Sequence, residues 1–318
     1  MRIGLLNNMR AGRSPRRVRR ILGEVERAKD VLHLATTSAA MVSDALGEMK
    51  RAGVELLIVN GGDGTVEHVL TELLAEGRPA WLPVIAPIRG GRTNMTAADL
   101  GAARNSVRGL HDVIAAARAG RLAERSVLRA VLRVAPGRGG AARCGMFVAA
   151  GFLGRSVQLT TRYLPKGRAQ ETAGIGLVTA TLLGRLMSGA RDELFRPDKV
   201  RLALDGAALP DEERVITLFS TLERLIFGIR PYWGTQPGCI RATLIRGGAE
   251  RIATTLPRIL AGRAPAFATP EHGYTSANVS RVEMRVDCEV TVDGELFPVE
   301  PDAAYTITAE ERVPFARA

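Results

Sequence analysis

The chain is poor in cysteine, aromatics and lysine, and it has no long apolar run. Cys144, Cys239 and Cys288 are its three cysteines, solitary and odd in number. None stands at metal-ligand spacing, which argues against a disulfide framework or a structural zinc and for a reducing, cytoplasmic setting. Aromatics make up only 4% of the residues. They do not interleave with basic residues, so no base-stacking platform is expected and nucleic acid is not the expected partner. No apolar stretch is long enough to span a bilayer. The opening "MRIGLLNNMR" has too short an apolar core to read as a signal peptide. His33, His68, His111 and His272 form no pair at ligand spacing and read as structural or solvent-facing.

What is abundant is arginine. The 44 Lys+Arg against 33 Asp+Glu leave a net charge of +11, and only four of the cations are lysine. Such a surface attracts nucleotide phosphates and anionic lipid headgroups. A genome biased toward Arg, Ala and Gly is the plainer source of part of this excess. A length of 318 residues predicts two domains rather than one core.

The first part alternates short apolar runs with helical patterns: "RIGLLN", "VLHLA", "LLIVN" and "LPVIAPI" as strands, with helices between them. Ser14 and Pro15 open the first helix as N-cap and first helical residue. This alternation predicts βαβ units and a parallel sheet. From about residue 123 the texture changes to β-branched strands with short connections, which predicts an antiparallel sheet or sandwich. Two helical candidates interrupt it, near residues 168–189 and 249–261.

Within "LLIVNGGDGTVEHVL" (56–70), a buried strand breaks at a glycine-rich loop and resumes as a helix. Ligands of open α/β sheets sit outside the carboxyl ends of strands, and a helix N-terminus there favours anions. Phosphate is the expected guest, with glycines letting it approach the main chain. Asp63 would repel phosphate unless it binds Mg²⁺ or accepts a proton. On the residues alone, a helix cap and a simple turn explain the loop nearly as well. No Walker A lysine follows. Likewise "DGE" (293–295) alone reads as a hairpin turn.

"GGDGT" (61–65) resembles the signature of the diacylglycerol kinase catalytic-domain family, which includes bacterial lipid kinases, sphingosine kinases and ceramide kinases. "NNMRAG" (7–12), "TTSAAMVSDA" (36–45), "PIRGGRTNMTAADLG" (87–101) and "VDGELF" (292–297) resemble further family motifs, in the family's order. The resemblance implies an α/β domain over 1–122, with a Rossmann-like parallel sheet of the NAD kinase and phosphofructokinase kind. It implies a C-terminal antiparallel β-sandwich over 123–318, whose terminal segment returns to the first domain. The implied activity is ATP- and Mg²⁺-dependent phosphorylation of a lipid hydroxyl, diacylglycerol by default. Another lipid kinase or a non-catalytic relative is the alternative.

Carried over by motif, Asn8, Thr37, Gly61, Gly62, Gly64, Thr65, Gly90, Gly91, Arg92, Thr93 and Asn94 would hold the nucleotide. Asp63, Asp293 and Glu295 would be catalytic, with Asp63 and Asp293 toward Mg²⁺. The implied partner is a lipid at an anionic membrane surface, met by a cytoplasmic, peripheral protein that could form a homodimer. Three departures stand out. His68 replaces the family's glutamate, and the Arg89–Asn94 loop is longer. Gln236, Pro237 and Arg241 lie where many bacterial members carry acids for a structural metal. That site is therefore expected to be lost, with hydrogen bonds to Arg241 in its place.

Overall fold

The computed structural model describes all residues except 12–14, 75, 78, 157–183, 186–195 and 318. The described residues pack into two units, Met1–Arg129 with Glu311–Ala318, and the residues between them in sequence.

In the first unit the strands β1 (Ile3–Asn8), β2 (Val31–Thr36), β3 (Leu56–Gly61) and β4 (Val84–Arg89) lie parallel in the order β2-β1-β3-β4. The last strand of the chain, β18 (Arg312–Ala316), adds to β4 in parallel, and β5 (Ser126–Ala130) follows it. All six residues of β3 are buried, as expected of a strand covered on both faces. The helices are α1 (Pro15–Arg27), α2 (Ala39–Arg51), α3 (Asp63–Leu74), α4 (Met95–Asp99) and α5 (Ser106–Arg118). Ser38 caps α2, and the side chain of Asn105 accepts from Val107 N and Arg108 N at the start of α5. The expected cap at Ser14 falls outside the described residues. Leu5, Leu56, Ile58, Ala86, Ile88, Leu110 and Val113 form the core between sheet and helices.

The second unit is one antiparallel network of 12 strands among the described residues. It contains β6 (Leu132–Pro136), β7 (Arg143–Gly145), β8 (Phe147–Ala150), β9 (Asp198–Leu204), β10 (Ala207–Ala208), β11 (Glu212–Ser220) and β12 (Ile240–Arg246). β13 (Tyr274–Val279), β14 (Arg281–Val286), β15 (Val290–Val292), β16 (Glu295–Leu296) and β17 (Ala303–Thr308) complete it. β14 alternates strictly between exposed and buried residues, the period of a sheet with one wet face. The sheet curls so that side chains from β6, β8, β9, β11, β12, β14, β15 and β17 share one core. The run "RSVLRAVLRVA", which reads as a single strand, is divided at Val131 into β5 of one sheet and β6 of the other. The second helical candidate is α6 (Ile252–Leu260). The first, at 168–189, lies almost wholly outside the described residues. No helix among the described residues is long and apolar enough to cross a membrane.

Candidate active site

The strand order of the first sheet reverses between β1 and β3, and the loops leaving their carboxyl ends flank the crevice where such sheets bind ligands. Polar side chains collect there. Asn60 Nδ2 donates to Asn7 Oδ1 (2.8 Å), and Asn7 Nδ2 lies 3.3 Å from His33 Nε2. Burial holds the His33 ring below its ordinary pKa, so it stays neutral. Asn8 Nδ2 donates to Thr65 Oγ1 (2.8 Å), which ties the first loop to the first turn of α3. Thr37, exposed at the end of β2, places its hydroxyl 3.3 Å from Met41 Sδ.

The glycines of the two central loops face each other. A Cβ on Gly91 would sit 2.2 Å from Gly62 Cα, and one on Gly90 would sit 2.5 Å from Asn60 Oδ1 and 2.7 Å from Gly61 N. A Cβ on Gly61 would strike Thr65 at 2.4 Å. Gly90 and Gly91 are therefore required by close packing of the β4–α4 loop on the β3–α3 loop, and Gly61 by the Thr65 side chain, reasons the spacing in sequence does not reveal. Asp63 fastens the same two loops. Its carboxylate is buried, with Oδ2 accepting from Thr93 Oγ1 (2.6 Å) and Oδ1 from Thr96 N (3.1 Å). Asn94, in the left-handed region at φ 51°, closes the second loop on itself. It accepts from Gly91 N (2.7 Å) and donates to Gly91 O (2.8 Å). Behind it, the side chains of Arg129 and Asp99 pair and hold α4 against β5.

Sequence reading passed over Thr96, Asn60 and Arg104. Arg89, the last residue of β4, is partly desolvated, and burial followed by repulsion from Arg104 lowers its pKa. Repulsion of this kind is eased by an anion nearby. Arg104 lies in a loop 15 positions further on, with no periodicity or motif to link it to Arg89. Gly64 and Arg92 are half-buried within the α3 and β4–α4 segments.

In the second unit, Asp293 and Gly294 are the two residues between β15 and β16, with Val292 opposite Glu295. Both have positive φ, 48° and 92°, as a two-residue hairpin of the mirror-image type demands. The hairpin reading of "DGE" is thus correct as geometry. Asp293 is nevertheless buried at 5% exposure. Its N–H donates to Phe147 O (2.9 Å), and its Oδ2 accepts from Met146 N (2.9 Å). A Cβ on Gly145 would come within 2.6 Å of Asp293 Oδ2, so glycine there makes the seat for the carboxylate. Glu295 is exposed.

Residues 2–125 match the family model of the diacylglycerol kinase catalytic domain. Two solved structures of a candidate diacylglycerol kinase from Bacillus anthracis str. Sterne share the fold over 100% of this chain. One covers 97% of the other chain with a TM-score of 0.67, and the second covers 96% with 0.66, both at 16% identity. A diacylglycerol kinase structure from the same organism aligns with a TM-score of 0.61, again at 16% identity, over 100% of this chain and 97% of that one. No curated protein matches the chain.

Set against the family, His68 places Nδ1 2.6 Å from Oε2 of the buried Glu67, whose Oε1 accepts from Thr71 Oγ1 (3.1 Å). Where acids would be expected, Gln236 Oε1 accepts from Asn278 N (3.2 Å). Arg241 donates to Thr221 O (3.0 Å) and Leu222 O (3.2 Å), so a guanidinium satisfies those carbonyls.

Proposed function

We propose that the protein is a kinase that transfers the γ-phosphoryl group of ATP to a lipid hydroxyl, with diacylglycerol as the acceptor. The observation that carries this reading is the clasp of two glycine loops by Asp63 at the crevice of the parallel sheet, with Arg89 ending the strand that leads into the second loop. Thr65 N and Val66 N donate to Gly62 O, and the amides ahead of them at the start of α3 suit phosphate oxygens. Asn8, Thr37, Thr65 and the Arg89–Asn94 loop would complete the cradle. Phosphoryl transfer demands little beyond positioning and charge control, and these groups offer both.

In the reaction, the acceptor oxygen bonds to the γ-phosphorus while the bond to the bridging oxygen of ADP breaks. Asp293 would take the hydroxyl proton, and Glu295 would assist at the acceptor. Asp63 suits Mg²⁺: with two of its carboxylate lone pairs engaged by Thr93 and Thr96, it has others that would hold a hydrated ion. When bound it would neutralise phosphate charge. The membrane surface would supply the acceptor to a peripherally bound enzyme.

Purified protein with γ-labelled ATP, Mg²⁺ and a panel of acceptors tests the reading. Label should enter diacylglycerol in preference to a sphingoid base or NAD. Label in the sphingoid base would reassign the acceptor. Nucleotide binding without transfer to any acceptor would leave a non-catalytic relative instead.

A further inference from the structure

Five large hydrophobics are exposed among the described residues: Met1, Met41, Leu128, Phe227 and Val299. Their surroundings differ. Val299 stands beside Glu300 in "ELFPVEPD", whereas Phe227 is centred in "RLIFGIR", between Arg224 and Arg230. Phe227 is 57% exposed and lies in the left-handed region at φ 58°, ψ 16°. A bulky aromatic seldom adopts that conformation. The turn is nonetheless closed by its own backbone, with Leu225 N donating to Ile229 O (2.9 Å) and Gly228 N to Leu225 O (3.0 Å). Leu225 is buried and anchors the turn, while Ile226 and Ile229 are half-buried. The result is a short, pre-formed loop with an aromatic tip directed at solvent.

Basic residues gather at its base. Arg230 N donates to Leu260 O (3.0 Å) at the end of α6, and Arg263 N donates to Arg258 O (2.8 Å). A Cβ on Gly262 would meet Arg230 Cβ at 3.3 Å. Arg230, Arg258 and Arg263 are all exposed. No carboxylate of the described residues pairs with any of the three. Cations at a helix C-terminus favour its dipole, which accounts for Arg258 and Arg263 but for neither the exposed ring nor Arg230. An apolar tip rimmed by cations complements an anionic bilayer, which takes aromatic rings at headgroup depth and basic residues at its surface.

We infer that the Leu225–Arg230 turn is a membrane-docking loop: Phe227 enters the interface of an anionic bilayer while Arg230, Arg258 and Arg263 contact its headgroups. The inference deepens the lipid-kinase reading by naming how the protein meets its acceptor, and its geometry does not depend on that reading.

The test is co-sedimentation of the full chain with phosphatidylcholine vesicles, with and without about one third phosphatidylglycerol. Binding should need the anionic lipid. Phe227→Ser should weaken it about tenfold or more. The combined Arg230→Gln, Arg258→Gln and Arg263→Gln variant should weaken it about a hundredfold at low salt. Phe227→Gly, which relieves the backbone, should bind as poorly as Phe227→Ser while unfolding no more easily than wild type. A tryptophan at Phe227 should be quenched by brominated acyl chains, and one at Val299 should not. Phosphorylation of a soluble short-chain diacylglycerol should be unchanged in Phe227→Ser, so an inactive enzyme and a misplaced docking loop give different results. Equal vesicle binding by wild type and Phe227→Ser, or binding indifferent to phosphatidylglycerol, would overturn the inference. A concentration-dependent dimer abolished by Phe227→Ser, without lipid binding, would also overturn it and assign the patch to a second copy of the chain.

Discussion

Asp63 accepts two hydrogen bonds from the neighbouring loop, so its first effect is on position. Thr93→Val removes one donor from a carboxylate that is 5% exposed. It should cost about 1 kcal/mol of stability in a urea titration. It should also raise the KM for ATP more than it lowers kcat, since the loop rather than the reacting atoms is disturbed. Thr93→Ser, which keeps the hydroxyl, should restore both. His33 gives a pH signature. Its pKa is depressed in the folded state, so the unfolded chain binds the proton more readily. Its share of stability is full above the unfolded value, about 6.5, and is lost as pH falls through the lower folded value. The protonated ring would also forfeit the acceptor lone pair facing Asn7 Nδ2. Denaturation midpoints measured between about pH 7.5 and about pH 5 should fall more steeply for wild type than for His33→Leu. Parallel curves would show that the ring does not titrate in this way.

At the scale of elements, a tight glycine contact supports each carboxylate. Gly145→Ala would drive a methyl into the seat of Asp293 and against Val292 Cγ1, both at 2.6 Å. Overpacking of this kind should cost about 1–3 kcal/mol, read as a lower urea midpoint. Activity should fall further than the loss of stability explains, because the β15–β16 turn is displaced. The strands and helices of the first unit were legible because apolar runs, caps and glycine breaks coincide in "LLIVNGGDGT" and in "NSVRGLHDVIAAARAG". The role of the glycines was not, because Gly62 and Gly91 meet across 29 positions of chain and only the fold brings them together. The division at Val131 was hidden for a related reason. "RSVLRAVLRVA" has continuous strand character, and nothing local says that its halves join different sheets.

Over the whole molecule, the parallel sheet of the first unit and the antiparallel sheet of the second follow from the change in hydrophobic pattern near residue 123. What the pattern could not convey was the use of solitary residues: Arg104 beside Arg89, Gly145 beneath Asp293, and Phe227 held in a left-handed turn. Each depends on a contact or a dihedral rather than on composition. The kinase reading gives both Asp63 and Asp293 a part in one reaction. Catalytic groups that act as one unit give non-additive losses. Asp63→Asn combined with Asp293→Asn should therefore be little slower than the worse single variant.

The most direct measurement is the rate of γ-phosphoryl transfer from ATP to diacylglycerol by Asp293→Asn against wild type, with nucleotide affinity measured in parallel. Loss of the base should lower kcat about a hundredfold or more and leave the Kd for ATP within about threefold. Transfer at the wild-type rate by Asp293→Asn, or no transfer by the wild type itself, would contradict the account.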